Sequence, residues 1–550
     1  MSGSIAYTLV PRFPEAHLFE VTCRVDAPDP AGQAFSMPVW IPGSYLVREF
    51  ARHIVRLDAE SEGRPVMVEK LDKATWKAAP CRGSLTLRYQ VYAWDLSVRG
   101  AHLDTTHAFF NGVCVFLRPC GKAHLPCRVK LFPPPGAACR DWRVATALRR
   151  DTAPPWGFGA YRADDYEDLI EHPVEMGRFT RLDFEACGIA HHAVVTGCAE
   201  IDTERLRHDL AAICSWQMAL FDSPLPDPYL FQIMAVGSGY GGLEHRNACA
   251  LLCERTDLPA PGLAGDVRTE NYVRFLGLAS HEYFHRWNVR RLRPAAFQHQ
   301  EGRTEAYTRL LWFFEGVTSY YDDLCLKRAG LIDETTYLNL LAKTITQVRK
   351  TPGRAMQSLA ESSFDAWIKY YRPDENTPNV VVSYYTKGAL VALCLDLALR
   401  HAHPSLSLDA LMRALWRMYG VSGQGLSEIA VFEAIAELGT ALDEVVSRKT
   451  RRLSHWLREM VEGTDDPPLA RHLAQFGVRL TWKNDNDLPW LGMRLTSEGE
   501  AARIRHVRTA SPAEAAGLAA GDEIVALREW RVTRDNWEHA LASLRAGEKV

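Results

Sequence analysis

The sequence predicts a multidomain α+β protein with a β-rich N-terminal domain (1–165), a mainly helical central domain (166–475) and a small mixed C-terminal module (476–550). Three observations predict this. At 550 residues the chain is long enough for about three or four domains of ~150 residues each. Its composition, 47% hydrophobic and 24% charged, is that of packed globular domains rather than disordered or rod-like chains. Along the chain, apolar alternation at period two gives way to helical periodicity near residue 170, and a third pattern begins near 478.

His17–Val25 and Ser84–Tyr92 alternate apolar and polar residues between Pro, Gly and Asp breakers, as half-buried strands do. Pro38–Phe50 (PVWIPGSYLVREF) sets a Pro-Gly-Ser turn inside an aromatic, strand-like stretch. Prolines at 133–135 and 154–155 mark the approach to a boundary between 155 and 175. Asp202 or Thr203 can then cap a helix with Leu206, Leu210, Ile213 and Met218 on its apolar face. Further helical patterns cover about 269–290, 305–329, 334–349, 384–402 and 407–419. The last segment, Ser511–Leu527 (SPAEAAGLAAGDEIVAL), reads as turn, short helix, Gly-Asp turn and apolar strand.

The 64 basic residues against 67 acidic ones leave a net charge of −3, so no broad positive field points to nucleic acid or an anionic membrane. No apolar run approaches the ~18 residues of a membrane helix, and the N-terminus lacks the basic start and apolar core of a secretory signal. The 13 cysteines are odd in number and scattered. Cys249 and Cys253 have no second pair at metal-finger spacing, which favours free thiols in a reducing, cytoplasmic compartment.

The densest chemistry is His281-Glu282-Tyr283-Phe284-His285, in a helix-compatible run free of proline. Histidines at i and i+4 share a helix face and can point at one ion. Nitrogen donors suit zinc, whose catalytic sites add a carboxylate and keep one position open for water. Glu282, between the ligands, can take that water's proton and pass it to a leaving amine. Two acids compete for the third ligand position. Glu305 lies 20 residues past His285 and Glu315 lies 30 past it, in LWFFEGVTSYYDDL. Glu315 is favoured, because a lone acid in an apolar helix needs a cation or several donors. Asp322, seven residues on, could orient a ligand imidazole, or could be a solvated acid.

H-E-x-x-H followed by Glu-Gly-x-Thr on the next helix resembles the gluzincin metallopeptidases. Gly241–His245 (GGLEH) resembles the Gly-Ala-Met-Glu-Asn segment of aminopeptidases in that clan, and Tyr385-Thr386-Lys387-Gly388 resembles their Tyr-x-Lys-Gly motif. Together with WIPGSYLVREF, the set is similar to the glycyl aminopeptidase family of PDZ-containing gluzincins over essentially the whole chain. That resemblance implies a thermolysin-like catalytic domain with one zinc ion per chain, held by His281, His285 and Glu315. It implies that Glu282 activates water, that Glu244 meets the substrate's free α-ammonium and that Tyr385 donates to the oxyanion. Gly241 and Gly242 would let backbone approach an extended peptide. His245 stands where those relatives have Asn.

Ser511-Pro512, Gly517-Leu518 and Gly521-Asp522-Glu523-Ile524 resemble a PDZ domain. Leu491-Gly492-Met493 would be its carboxylate-binding loop, able to take a C-terminal tail ligand. A further strand would be expected past Val550. The expected activity is therefore a zinc aminopeptidase that releases a small N-terminal residue, Gly or Ala, from peptides with a free N-terminus, the Gly/Ala preference coming from the resemblance alone. Its rivals are a PDZ-assisted zinc endopeptidase and a catalytically silent scaffold for C-terminal tails. The arginines at 286, 290, 291 and 293 and the His191-His192 pair read as structural.

Overall fold

A computed structural model describes residues 4–136, 139–222, 225–262, 267–298, 301–484 and 488–550. The protein is α+β, with a β-rich N-terminal domain and a helical C-terminal region. The chain forms two compact units, one of Met1–Ala306, Tyr321–Tyr337 and Trp416–Leu426, the other of Tyr307–Tyr320, Leu338–Leu415 and Ser427–Val550.

The first unit opens with an eight-stranded sheet. Its spatial order is Arg149–Arg150, Gly159–Ala163, Cys127–Leu131, Ile5–Phe13, Leu18–Val25, Leu85–Tyr92, Ile54–Ser61 and Arg64–Val66. All its ladders are antiparallel except the parallel pair that sets Ile5 opposite Cys127. The period-two sequences put Tyr7, Leu9, Phe19, Val21, Leu87 and Tyr89 into the core, which is what alternation on a pleated strand dictates. Three tyrosines bury phenols whose O–H groups donate to the carbonyls of consecutive residues. Tyr89 bonds Val115 (2.8 Å), Tyr166 bonds Phe116 (2.7 Å) and Tyr7 bonds Leu117 (2.8 Å). The aromatic stretch at 38–50 is not a strand. Ser44 N–H donates to Ile41 O and Leu46 N–H to Ser44 O, so the Pro42-Gly43 turn absorbs the backbone groups a ladder would need.

A five-stranded sheet follows, ordered Thr180–Ala186, Ile189–Thr196, Tyr229–Val236, Ala248–Glu254 and Gly241–Glu244. The central strand Tyr229–Val236 is parallel to both neighbours and almost wholly buried, as expected of a strand covered on both faces. Gly241–Glu244 is antiparallel and forms the edge. Asp202 caps the helix Thr203–Phe221 by accepting the Arg205 N–H at 3.0 Å, and Leu206, Leu210, Ile213 and Met218 are buried. The helix Glu270–Phe284 (the H-E-x-x-H helix) packs against the edge strand.

The second unit is mainly helical, with Thr386–Ala402, Leu408–Leu415, Ala430–Glu437 and Glu444–Glu462 as principal helices. Its last segment carries two short antiparallel ladders, Met493–Leu495 with Ile504–Val507 and Ala526–Leu527 with Trp530–Arg531, around a small core of Ala502, Val532 and Ala540. Asn379 clasps this segment with both ends of its amide, donating to Val507 O and accepting from Thr509 N–H, each at 2.9 Å. Among the described residues, no helix is long and apolar enough to cross a membrane.

Candidate active site

In the first unit the site grows from the H-E-x-x-H helix. Thr269 starts it by accepting the Tyr272 N–H at 3.2 Å, and Tyr272, Val273, Leu276, Ala279 and Tyr283 bury its apolar side. His281 and His285 follow one turn apart, their rings 4.7 Å centre to centre. Each Nδ1 faces an acceptor. His281 lies 3.3 Å from Asp322 Oδ2, and His285 lies 2.7 Å from the Asn288 carbonyl. A carbonyl can only accept, so the His285 proton sits on Nδ1. The Asp322 carboxylate holds the His281 proton the same way, so each Nε2 carries its lone pair, the form in which an imidazole ligates a metal ion. The donor chemistry therefore fits one.

The Asn288 contact comes from an abrupt chain reversal after Phe284. Arg290 N–H donates to His285 O at 3.1 Å, and Val289 is driven to φ +130°. A β-branched residue there stores roughly 1–3 kcal/mol of strain. Nothing at the sequence level singled out Asn288 or Val289.

Glu282, next to His281 on the helix, lies against the edge strand and is 5% exposed. A β-carbon on Gly242 would sit 2.1 Å from Glu282 Oε1, so that glycine exists to make room for the carboxylate. Glu244, on the same strand, is 3% exposed. Carboxylate oxygens of Glu244 and Glu282 and a ring nitrogen of His285 all lie within 4.8 Å of one another. The turn at 42–44 presses on Glu244. Gly43 has φ +93°, and a β-carbon there would fall 2.5 Å from Glu244 Oε2. Arg246 turns instead to Glu167 (3.9 Å) and Asp168 (3.8 Å).

His245 is 2% exposed. Burial pulls its pKa down to about 3, so the ring is neutral. Because the Asn111 amide N–H groups go to Val98 O and Gly100 O, the remaining Asn111 oxygen accepts the Nε2–H of His245 at 3.2 Å.

The arginines after the H-E-x-x-H helix are structural, as expected. Arg290 pairs with Glu171, Arg293 with Glu167 at 3.0 Å, Arg286 donates to Asp227 O at 2.5 Å and Arg291 to Arg246 O at 2.9 Å. His191 Nε2 lies 2.8 Å from Tyr283 OH, and His192 pairs with Asp183 at 2.7 Å. His102, Asp104 and His107 also cluster, but Asp104 Oδ1 accepts the Thr106 and His107 N–H groups and Oδ2 faces His102.

In the second unit, Glu315 (2% exposed) lies on the π-helical turn Trp312–Val317. Tyr385 directly precedes the helix Thr386–Ala402. The two elements cross on glycine. A β-carbon on Gly316 would lie 2.7 Å from Gly388 Cα and 2.8 Å from Tyr384 O, so the glycines of Glu-Gly and Lys-Gly are a matched pair that lets the backbones touch. Lys387 is fully buried and donates to Arg354 O and Thr464 O, each at 3.1 Å. Burial and then the negative charge of Glu315 hold the Tyr385 phenol well above its ordinary pKa, so it keeps a proton to donate. The turn bearing Glu315 runs without a break into the helix Thr318–Arg328, where Asp322 follows after seven residues, about two helical turns. Glu305 lies in irregular chain before that turn.

Thus the first unit holds His281, Glu282, His285, Glu244, Gly241 and Gly242, and the second holds Glu315 and Tyr385. A helix presenting two imidazoles around a buried acid, beside an edge strand carrying a second acid, defines a metallopeptidase. Residues 6–178 match the Peptidase M61 N-terminal domain and residues 274–391 match M61 glycyl aminopeptidase. The chain is 38% identical to an aminopeptidase N family protein from Idiomarina loihiensis, with a TM-score of 0.93 over 99% of this chain and 92% of that one. An M1 zinc metallopeptidase from Deinococcus radiodurans shares the fold at 16% identity, with a TM-score of 0.50 over 85% of this chain and 95% of that one. No curated protein matches. The chain belongs to the M61 glycyl aminopeptidase family and is a hydrolase, a metallo-aminopeptidase.

Proposed function

We propose that the protein is a zinc-dependent aminopeptidase that removes Gly, and less readily Ala, from peptides with a free N-terminus. One observation carries this reading. The acids of Glu244 and Glu282 lie within 4.8 Å of each other and of a His285 nitrogen. An ammonium bound at Glu244 therefore holds the first peptide bond beside the base, and cleavage follows the first residue.

His281, His285 and Glu315 would hold one zinc ion per chain. Support comes from the imidazole-rich donor set, the Nδ1 contacts that make each Nε2 a lone-pair donor, and the buried acid on the run that also carries Asp322. When bound, the ion supplies Lewis-acid polarisation and lowers the pKa of water. Glu282 takes the proton of the attacking water and delivers it to the departing amine nitrogen. Tyr385 gives its phenolic hydrogen bond to the carbonyl oxygen as negative charge builds there, a donor of the kind worth ~2.7–4 kcal/mol. Gly241 and Gly242 leave the edge strand open to an extended substrate.

The division at 165/166 and 475/476 accompanies this reading, with 476–550 as a PDZ-type module available to a C-terminal tail. Supporting features are Gly492 at φ +75° and the Ser511-capped helix Pro512–Ala515. A cytoplasmic location is in keeping with thirteen free cysteines.

Turnover of Gly- and Ala-p-nitroanilide, beside their N-acetyl forms and with or without chelator, tests the proposal. Activity should need the free amine and be lost to the chelator. Glu244→Ala should lower kcat/KM by about 10²-fold, since truncating one partner of a buried charge pair costs ~2–5 kcal/mol. Cleavage of blocked peptides at a rate indifferent to Glu244→Ala would favour an endopeptidase.

A further inference from the structure

The edge strand has a register that decides which of its backbone groups face outward. Gly241 stands opposite Leu252, Gly242 opposite Leu251, Leu243 opposite Ala250 and Glu244 opposite Cys249. The next pair, His245 and Ala248, is hydrogen-bonded, with His245 N–H donating to Ala248 O at 2.8 Å. Antiparallel ladders alternate bonded and non-bonded pairs. Leu243 and Gly241 therefore spend their N–H and C=O on the neighbouring strand, and those of Gly242 and Glu244 project from the free edge.

Arg99 lies along that edge. Its Nη2 donates to Gly242 O at 3.3 Å, and its Nη1 sits 3.4 Å from where a Gly241 β-carbon would be. No carboxylate among the described residues pairs with this guanidinium, and its Nε is buried without a hydrogen-bond partner. Asp95 of the same loop lies against Gly100 instead.

The loop is also held firmly. Asn111 Nδ2 donates to the carbonyls on either side of Arg99, Val98 O at 2.9 Å and Gly100 O at 3.2 Å, and the Cys114 thiol lies 3.6 Å from Arg99 O. Asn111 is in turn bonded to His245, the residue after Glu244. The putting-together of strand end, Asn111 and loop fixes the guanidinium relative to the acid that would receive the substrate amine. A strap for Gly242 needs one N–H group, whereas the two Nη atoms together carry four.

We infer that Arg99 receives the C-terminal carboxylate of a short peptide whose amine is at Glu244, so that di- and tripeptides with a free C-terminus are the preferred substrate class. The inference rests on the aminopeptidase reading above. A peptide extended antiparallel to the edge strand advances ~3.4 Å per residue. Starting from Glu244, it draws level with Gly242 and Gly241 at its second or third residue. A guanidinium there matches a carboxylate in a two-pronged, charge-assisted hydrogen bond.

The test compares Gly-Gly-Gly with Gly-Gly-Gly-amide on the metal-loaded full chain. Wild type should favour the acid by about 10- to 100-fold in kcat/KM, the range for hydrogen bonds to charged groups, and Arg99→Ala should collapse that ratio to near one. Calorimetric titration of both peptides into the Glu282→Gln chain, with and without Arg99→Ala, gives a second readout free of turnover, in which only the acid should lose affinity. A wild type indifferent to the C-terminal charge overturns the inference. So does an Arg99→Ala chain in which acid and amide weaken equally, the signature of a strand strap. Failure of the parent reading looks different: wild type would leave Gly-p-nitroanilide intact, or hydrolyse its N-acetyl form as fast, while the titration still decides the role of Arg99.

Discussion

His281 and His285 illustrate how far the aim of a side chain is set by groups other than itself. Each imidazole is aimed by a group from elsewhere, Asp322 for one and the Asn288 carbonyl for the other, and the second costs the chain a strained Val289. Asp322→Ala should lower zinc affinity by about 10- to 100-fold, the usual effect of removing such a partner, with the far-ultraviolet circular dichroism unchanged. Competition with a chromogenic chelator measures it, and an unchanged affinity would deny Asp322 its role. At this scale the sequence was informative about residue types and silent about partners. H-E-x-x-H is legible because both histidines and the acid lie within one turn and a half of helix. Arg99 is not legible, because it is a single loop arginine whose contact is a carbonyl 143 residues away. Gly242 was expected to favour the substrate's approach, and the structure adds a nearer reason in the Glu282 carboxylate.

Among elements, helices declared themselves best. The pattern at 334–349 corresponds to the helix Glu334–Arg349, and that at 384–402 to Thr386–Ala402. Their apolar periodicity is local and is enforced by burial on one side. The aromatic stretch at 38–50 misleads for a physical reason: its apolar residues are buried by a folded turn, and burial alone does not distinguish a turn from a strand. The crossing of Gly316 with Gly388 was equally hidden, since two glycines far apart in sequence say nothing of meeting. Gly388→Ala should be poorly tolerated, because a β-carbon there would lie 2.9 Å from Trp312 O and 3.0 Å from Gly316 Cα. Overpacking of this kind costs ~1–3 kcal/mol. Thermal unfolding should show the loss, and the same variant should lose activity through the disturbed Glu315 and Tyr385. Wild-type stability with full activity would mean that the crossing has slack.

For the molecule as a whole, the α+β character was legible from the change in apolar period, while the two compact units were not. Their limits at 306/307 and 320/321 follow long-range contacts rather than any shift in composition. A global consequence concerns pH. Glu175 is 1% exposed and accepts from the Thr196 hydroxyl at 3.0 Å, and burial, then the charge of Asp104, pushes its pKa up to about 8. The folded chain thus keeps a proton that the unfolded chain releases near the ordinary carboxylate value. The folded state binds more protons in that window, so this group's contribution is complete at acid pH and is lost as pH rises towards about 8. Glu175→Gln should flatten that part of the stability profile and raise Tm at pH 9. An identical profile in both chains, followed by scanning calorimetry, would refute it.

The missing side chain at Gly242 also limits how this enzyme can diversify. Where the Glu282 carboxylate and the Gly241–Glu244 strand share one van der Waals gap, no mutation of that strand position can trade room for selectivity. Adaptation to new peptides, in nature or in the laboratory, has to begin at the loops around it.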